Sequence, residues 1–301
     1  MKVSYLIGVY NKLNYISDCI DSVLKEETPE IEIEICIVDD GSTDGSFNLI
    51  NEKFHFNPKI KIFKFEKNLG KNAAYNKAYE ISTGEFICIF GADDVVIRGR
   101  TTKLLKYSIN NSHKAVYGGL ISKNHDLSEI INKIIPKKQN LYNITMTNTL
   151  SGGCSLIPRS LCEYIFPIPE DLKFEDWWIS YFLVKRELVV VLEDYVTIYR
   201  IGSNNDCAFL VEDNNDLYDG IKKDYERHID YLNKLKLYDA NNDYIDKSLD
   251  LRLSFLGCRP KKMFYIKKFD IFSLKIILFY IIGAKSFYSI ISNVRKQIKK
   301  K

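Results

Sequence analysis

The chain has 301 residues, 46% hydrophobic and 13% aromatic, enough apolar material for a substantial core and too much for a disordered segment. The formal net charge is +4, yet residues 259–301 carry twelve Lys and Arg against one acid, Asp270, so the preceding body is acidic. This asymmetry argues against nucleic acid as a partner and leaves only the tail suited to an anionic surface.

From Lys2 to about Tyr117, short apolar runs alternate with amphipathic stretches. The runs predict strands at Val3–Val9, Ile33–Val38, Ile60–Phe65, Phe86–Phe90 and Ala115–Tyr117. The amphipathic stretches predict helices at Tyr15–Glu26, Ser46–Lys53, Asn72–Ile81 and Arg100–Ser108. Such alternation builds a mostly parallel α/β sheet with helices on both faces. Between Ile121 and Thr149 the order loosens into polar sequence that reads as irregular or hairpin structure. A short helix near Arg159–Tyr164, a loop with Pro167 and Pro169, and a helix opening at Glu175 follow, then strands at Leu188–Leu192 and Tyr195–Ile201. Beyond about residue 205 the chain turns helical, with helices expected at Asp216–Lys236 and Asn242–Leu256 as a C-terminal extension. The division expected is therefore 1–205 as an α/β body, 206–258 as a helical extension and 259–301 as a basic amphipathic tail.

The uncharged run Ile276–Ala284, between Lys275 and Lys285, is only nine residues, too short for the roughly 20 that a spanning helix needs, and no uncharged run of the tail is longer. Lysines among Phe, Tyr and Ile fit either a helix lying in an anionic bilayer interface or a helix packed on the body with a basic end. The N-terminal run lacks the long apolar region and cleavage site of a signal peptide, so a cytoplasmic place is expected, with the inner membrane face as the peripheral alternative. Seven cysteines, Cys19, Cys36, Cys88, Cys154, Cys162, Cys207 and Cys258, show no Cys-x-x-Cys spacing and read as reduced, packed thiols.

Two apolar runs end in adjacent carboxylates: Ile35-Cys-Ile-Val-Asp39-Asp40-Gly41-Ser42 and Phe86-Ile-Cys-Ile-Phe-Gly-Ala-Asp93-Asp94. A carboxylate at the tip of a buried strand resists desolvation unless a cation or hydrogen-bond donors receive it. Asp93 and Asp94 are hard oxygen donors that suit Mg2+ or Mn2+ beside a diphosphate, and a plain loop pair capping the next helix is the bland alternative. Asp40 is placed to accept from a base imide or a ribose hydroxyl, whereas Ser42 and Asp44 read as a turn and cap. Around Asn68-Leu-Gly-Lys71-Asn72, backbone amides and Lys71 either face phosphate or simply start a helix. Ser151-Gly152-Gly153 is a close-approach loop beside donor or acceptor, or equally a simple turn.

The order Val9-Tyr10-Asn11, Val38-Asp39-Asp40-Gly41-Ser42-Thr43-Asp44, Asn68-Leu69-Gly70 with Asn72-Ala-Ala-Tyr-Asn76, and Gly84-Glu85-Phe86-Ile87 leading to Ala92-Asp93-Asp94 resembles the inverting family 2 glycosyltransferases of the GT-A fold, over roughly residues 1–205. The resemblance implies that Gly8, Val9, Tyr10 and Asn11 touch the nucleotide and that Asp40 reads a uracil with Asp39 beside it. Asn68, Lys71 and Asn72 complete the donor side. Asp93 would lie nearer the ribose and Asp94 on the cation, Mn2+ or Mg2+. Glu175-Asp176 resembles the family's Glu-Asp pair under the acceptor, which makes Asp176 the general base. Gly152, Gly153, Glu175, Trp177 and Trp178 then border the acceptor, one tryptophan in the core and the other against a sugar ring. Tyr199-Arg200 resembles the Tyr-Arg that closes the catalytic region.

Two departures thin the metal site: many relatives place a further carboxylate where this chain has Gly91, and a His where it has Ile201-Gly202-Ser203. The resemblance implies transfer of one sugar from a nucleotide donor, expected to be UDP-linked, to a glycan or lipid-linked glycan of a bacterial surface polysaccharide. The competing readings are a catalytically weak binding relative, a nucleotidyltransferase and a receiver-like signalling module. Ser4–Asn14 lacks the Gly-rich basic phosphate loop of the second, and the third leaves Glu175-Asp176 and the tail unexplained.

Overall fold

The computed structural model describes residues 1–202, 214–258 and 271–287. Cys207, Ser203 and most of the basic tail therefore lie outside the described residues. The chain divides into two compact units, Met1–Asn205 and Asp206–Lys301.

In the first unit the strands are β1 (Lys2–Val9), β2 (Glu32–Asp39), β3 (Ile60–Lys64), β4 (Phe86–Gly91), β5 (Val95–Val96), β6 (Ala115–Lys123), β7 (Ile130–Ile134), β8 (Ser155–Pro158) and β9 (Val189–Arg200). They form one sheet in the order β3-β2-β1-β4-β8-β6-β9-β5, with β7 added to β6. The strands β3, β2, β1 and β4 are mutually parallel, and β8 enters antiparallel between β4 and β6. The helices of this unit are α1 (Ile16–Leu24), α2 (Ser46–Phe54), α3 (Lys71–Ile81), α4 (Arg100–Asn110), α5 (Leu141–Met146) and α6 (Glu175–Lys185).

Both faces of the central strands are covered, which is why β2 is buried from Ile33 to Asp39 rather than alternating. One face packs Val3, Tyr5, Ile7, Ile33, Ile35 and Ile37 against the i, i+3, i+4, i+7 stripe of α1, Ile16, Cys19, Ile20 and Val23. The other receives α3, which comes close because Gly8 has no side chain; a Cβ there would lie 3.2 Å from the Ala74 Cβ. Parallel strands with crossover helices send the carboxyl ends of β1, β2 and β4 to one edge of the sheet, where ligands of such folds bind.

The expected break between two strands at Leu188–Leu192 and Tyr195–Ile201 is absent. β9 runs on through Glu193 and Asp194, but its pairing with β6 jumps there, from Tyr117–Val191 to Gly119–Tyr195, so the surplus residues of this irregularity lie on β9 itself. Helices α1 to α4 start and stop within a few residues of their expected bounds, and the loosened segment is a β6–β7 hairpin followed by α5.

The second unit contains α7 (Asn214–Tyr238), α8 (Asp243–Phe255) and α9 (Ile271–Ile282). Leu251, Phe255, Ile276, Phe279 and Ala284 form its apolar core, with Phe255 and Phe279 meeting edge to face at 5.3 Å. His228 sits beside Arg252, and burial together with the Arg252 and Arg227 charges depresses its pKa to about 3. Among the described residues no helix is long and apolar enough to cross a membrane. Five of the six described cysteines are buried, and all six are free thiols.

Candidate active site

The β1 exit turns at Asn11, held at φ 52° in the left-handed region that asparagine tolerates. Its amide donates to Ser42 Oγ at 3.0 Å, and its side-chain oxygen accepts from the Thr43 amide at 2.9 Å, so the exits of β1 and β2 form one bonded unit. Val9 is buried at the strand end, whereas Tyr10 is 46% exposed and presents its ring outward. Asp44 accepts from the Leu13 amide and from Ser46, the structural role expected of it.

Asp39 and Asp40 are both buried, but they differ in what they hold. Both Asp40 oxygens accept backbone amides, Leu69 at 2.7 Å and Gly70 at 2.9 Å. Gly41, at φ 70°, lets that same loop approach; a Cβ there would lie 2.6 Å from the Lys67 carbonyl carbon. Asp40 is thus a clamp on the loop entering α3, and its acceptor capacity is largely committed. Asp39 accepts from the Ser42 amide through Oδ2, while its Oδ1 has no hydrogen-bond partner among the described residues.

Asn72 departs from its expected place at the donor. It is 1% exposed, and its amide donates to the carbonyls of Pro169 at 2.9 Å and Leu172 at 2.7 Å. One helical turn later Asn76 exchanges bonds with Ile168 in both directions. Together they fasten to α3 the loop that leads into α6. Asn68 is exposed on the α3 entry loop, and Lys71 at the α3 start pairs with Glu175 of α6 at 2.8 Å.

Trp177 and Trp178 are both buried, at 2% and 5% exposure, and their indole nitrogens donate to the Ile144 and Ile165 carbonyls. Neither offers an open face to a sugar ring, which corrects the expectation for the pair: α6 is enclosed on all sides from Trp177 to Val184.

The remaining acids converge. A Cβ on Gly91 would lie 2.8 Å from Asp94 Oδ2 and 3.3 Å from Asp93 Oδ1, so both carboxylates turn into the notch that this glycine leaves open. A Cβ on Gly153 would be 3.5 Å from Asp94 Oδ2, and one on the adjacent Gly152 would be 3.5 Å from the Asp176 Cβ. The short 3-10 turn Gly152–Cys154 therefore lies between Asp94 and Asp176 and sets them on either side of a single residue step.

Burial and the adjacent Asp93 push the Asp94 carboxyl well above the usual range, against the pull of Lys12 and Arg100. Asp176 is raised to about 7 by desolvation and the Glu175 charge, with Lys71 opposing. Each of these two carboxyls has an environment that disfavours the anion until a cation or a proton transfer compensates.

Among the described residues no group of three or more His, Cys, Asp or Glu forms a metal cage. The notch above Gly91 supplies two hard oxygens, a donor set that fits a divalent ion taking its remaining ligands from phosphate and water.

Several further residues surround these acids; apart from Arg200, expected from its Tyr-Arg pair, they carry no periodic or paired signature in the sequence. Lys12 Nζ lies 2.5 Å from Asp93 Oδ2. The Arg200 amide donates to Asp94 Oδ1 at 3.2 Å, while its guanidinium reaches the Asp93 carbonyl, the His125 carbonyl and Asp18 and lies over the Tyr15 ring at 4.8 Å. Tyr75 of α3 is buried, and Glu175, Asp94 and Asp93 join burial in raising its pKa. The buried Tyr117 hydroxyl senses the Asp176 charge and has no hydrogen-bond partner among the described residues. Arg100 is fully buried below the acids, its guanidinium 4.9 Å over Phe90 and donating to the Ser155 carbonyl.

A parallel sheet with acids at the carboxyl edge, facing a helix that opens on Glu-Asp, defines a nucleotide-dependent transferase architecture of the GT-A kind. Residues 4–166 match the family model described as glycosyl transferase family 2, and the chain belongs to that family. It is 29% identical over 223 residues to an uncharacterized glycosyltransferase of Nostoc sp., spanning 68% of this chain and 66% of that one. It is also 32% identical over 121 residues to a poly(ribitol-phosphate) beta-glucosyltransferase of Bacillus spizizenii, which spans 40% of this chain but only 19% of the relative. The chain thus covers less than two thirds of the length of these relatives. In fold it is similar to Staphylococcus aureus TarS solved with UDP-GlcNAc, with a TM-score of 0.59 and 20% identity over 94% of this chain and 82% of that one.

Proposed function

We propose that the chain transfers a single sugar from a nucleotide donor, UDP-linked, to a hydroxyl of a glycan or lipid-linked glycan in bacterial surface-polysaccharide synthesis, with inversion at the anomeric carbon. The observation that carries this reading is the Gly152–Gly153 step, which has the half-buried Asp176 on one side and the Asp93–Asp94 notch on the other at the carboxyl edge of the sheet. Relatives named as a poly(ribitol-phosphate) beta-glucosyltransferase and a putative teichuronic acid glycosyltransferase, and the UDP-GlcNAc complex of TarS, support the donor and acceptor classes.

In this reading Tyr10 stacks on the base, and the unpartnered Asp39 oxygen, rather than the committed Asp40, takes the imide proton of the uracil. Asp93 and Asp94 would hold Mn2+ or Mg2+, which when bound neutralises charge on the departing diphosphate. Asp176 accepts the proton of the acceptor hydroxyl late in the attack, as positive charge develops on the sugar ring opposite the leaving group. Glu175, fixed by Lys71, keeps the Asp176 carboxyl basic enough for that task. Gly152 and Gly153 leave the space in which sugar and acceptor meet.

Thermal-shift measurements with UDP, GDP, CDP and dTDP, each with and without Mn2+, test the donor assignment. UDP should stabilise the protein most, and a flat response to all four diphosphates would remove the basis for the reading.

A further inference from the structure

Lys12 occupies a place that neither fold nor composition requires of a lysine. Its amide donates to Ser46 Oγ at 2.8 Å, and its carbonyl accepts from the Tyr15 and Ile16 amides at 3.0 Å, so its backbone is fixed on three sides. From that base the side chain reaches Asp93 Oδ2 at 2.5 Å, with the lysine only 18% and the aspartate only 14% exposed. An exposed ion pair contributes little, but a partly enclosed one with a fixed base is pre-organised. The partner is a carboxylate whose other oxygen turns into the Gly91 notch beside Asp94. Asp94 in turn senses the Lys12 charge.

The local charge balance follows. Two carboxylates share the notch, and the Lys12 ammonium already offsets one of them. Gly91 supplies no third carboxylate there. Arg200 adds its backbone amide to Asp94, but its guanidinium bonds to carbonyls and to Asp18 rather than to the notch oxygens.

We propose that Lys12 is the resident counter-cation of the Asp93–Asp94 pair, a positioning residue that contests the notch with a divalent ion and thereby sets its affinity. This rests on the reading of that pair as the cation end of the donor site. The ammonium holds Asp93 in place when no ion is bound, and it keeps the divalent affinity low, so that the diphosphate must supply further oxygens before an ion is held firmly. A cation repelled by a unit charge a few ångströms away binds at least about tenfold more weakly than it would without that charge, even under aqueous screening.

The test is a titration of Mn2+ alone, followed by electron paramagnetic resonance, on the full chain and on Lys12→Met, Lys12→Gln, Lys12→Arg and Asp94→Asn. Lys12→Met and Lys12→Gln should each tighten Mn2+ binding about tenfold. Lys12→Arg, which keeps the charge, should bind like the parent, and Asp94→Asn should lose the site. Circular dichroism of each variant reports folding, and two neutral replacements guard against the failure of one. Equal or weaker Mn2+ binding in both neutral variants, with Asp94→Asn still abolishing it, overturns the role given to Lys12 while leaving the cation site intact. Mn2+ binding that is indifferent to Asp94→Asn overturns the cation site and the role of Lys12 together.

Discussion

Asp176 carries opposite consequences for turnover and for folding. Its pKa near 7 means that the folded protein holds the proton over a range where an unfolded aspartate, near 3.8, has lost it. Between those values the native state binds more protons, so this group subtracts from stability as pH rises and does so fully above about 7. In the proposed mechanism, however, the proton-accepting form is the anion. Transfer measured as kcat/KM should therefore climb with pH through an inflection near 7. Asp176→Asn should abolish that activity by roughly 100-fold or more while raising the melting temperature at pH 7.5 and leaving it little changed at pH 4. Calorimetry at the two pH values, with a coupled nucleotide-release assay, checks both arms. A melting temperature that falls equally at both would show that the carboxyl is not strained in the fold.

At the scale of elements, the sheet is locked by Glu34, an acid set among the buried Ile33, Ile35, Cys36, Ile37 and Val38 of β2. Its carboxylate accepts from Ser4 Oγ at 2.6 Å on β1, from the Thr83 amide at 2.7 Å and hydroxyl at 2.8 Å before β4, and from Lys61 at 2.8 Å on β3. Burial alone would raise its pKa, but these partners, Lys61 foremost, hold it far below the usual carboxylate range. The depressed value gives the sign: the stabilisation is present above the unfolded pKa near 4.5 and drains away as pH falls below it. Glu34→Gln should cost about 2–3 kcal/mol in urea unfolding at pH 7 and somewhat less at pH 3, where the folded carboxylate is still ionised but the unfolded one is mostly protonated.

The β-α alternation of the first unit was legible because its strands are apolar on both faces and its helices on one, two patterns with distinct periods. The continuity of β9 was not, because Glu193-Asp194 reads locally as a turn, and in the structure the strand carries these residues as an irregularity, its pairing with β6 resuming at Tyr195. Burial of Trp177 and Trp178 was hidden for a related reason: a helix enclosed all round has no polar face from which to infer an exposed one. The acids at strand ends were visible, but which carboxylate of Asp39-Asp40 turns to the α3 loop depends on the pleat at the end of β2. Lys12 carried no signal beyond following Tyr10-Asn11, since a lone lysine looks the same in a site and on a surface.

Across the whole molecule the uneven charge and the α9 surface bear on where the enzyme works. One side of α9 packs through Ile276 and Phe279, while Ile271 and Ile281 are 67% and 69% exposed with Leu274 between them. Exposed apolar residues with lysines in the flanking sequence are the features on which contact of this helix with an anionic bilayer interface is proposed. Cosedimentation with vesicles containing anionic lipid should retain the full chain at low salt and release it after removal of residues 259–301. Unchanged partitioning after that truncation would rule the tail out as the anchor.

The paired glycines at 152 and 153 make the two halves of the chemistry separately addressable. Each added methyl would sit at ordinary van der Waals distance from its neighbour, so neither alanine forces a backbone clash. In the proposed reaction, alanine at 153 would come into contact with Asp94 on the leaving-group side, and alanine at 152 would come into contact with the Cβ of Asp176, the proposed base, so each methyl probes a different partner of the same bond exchange. A pair of single-atom wedges can thus distinguish failure to release the nucleotide from failure to activate the incoming alcohol.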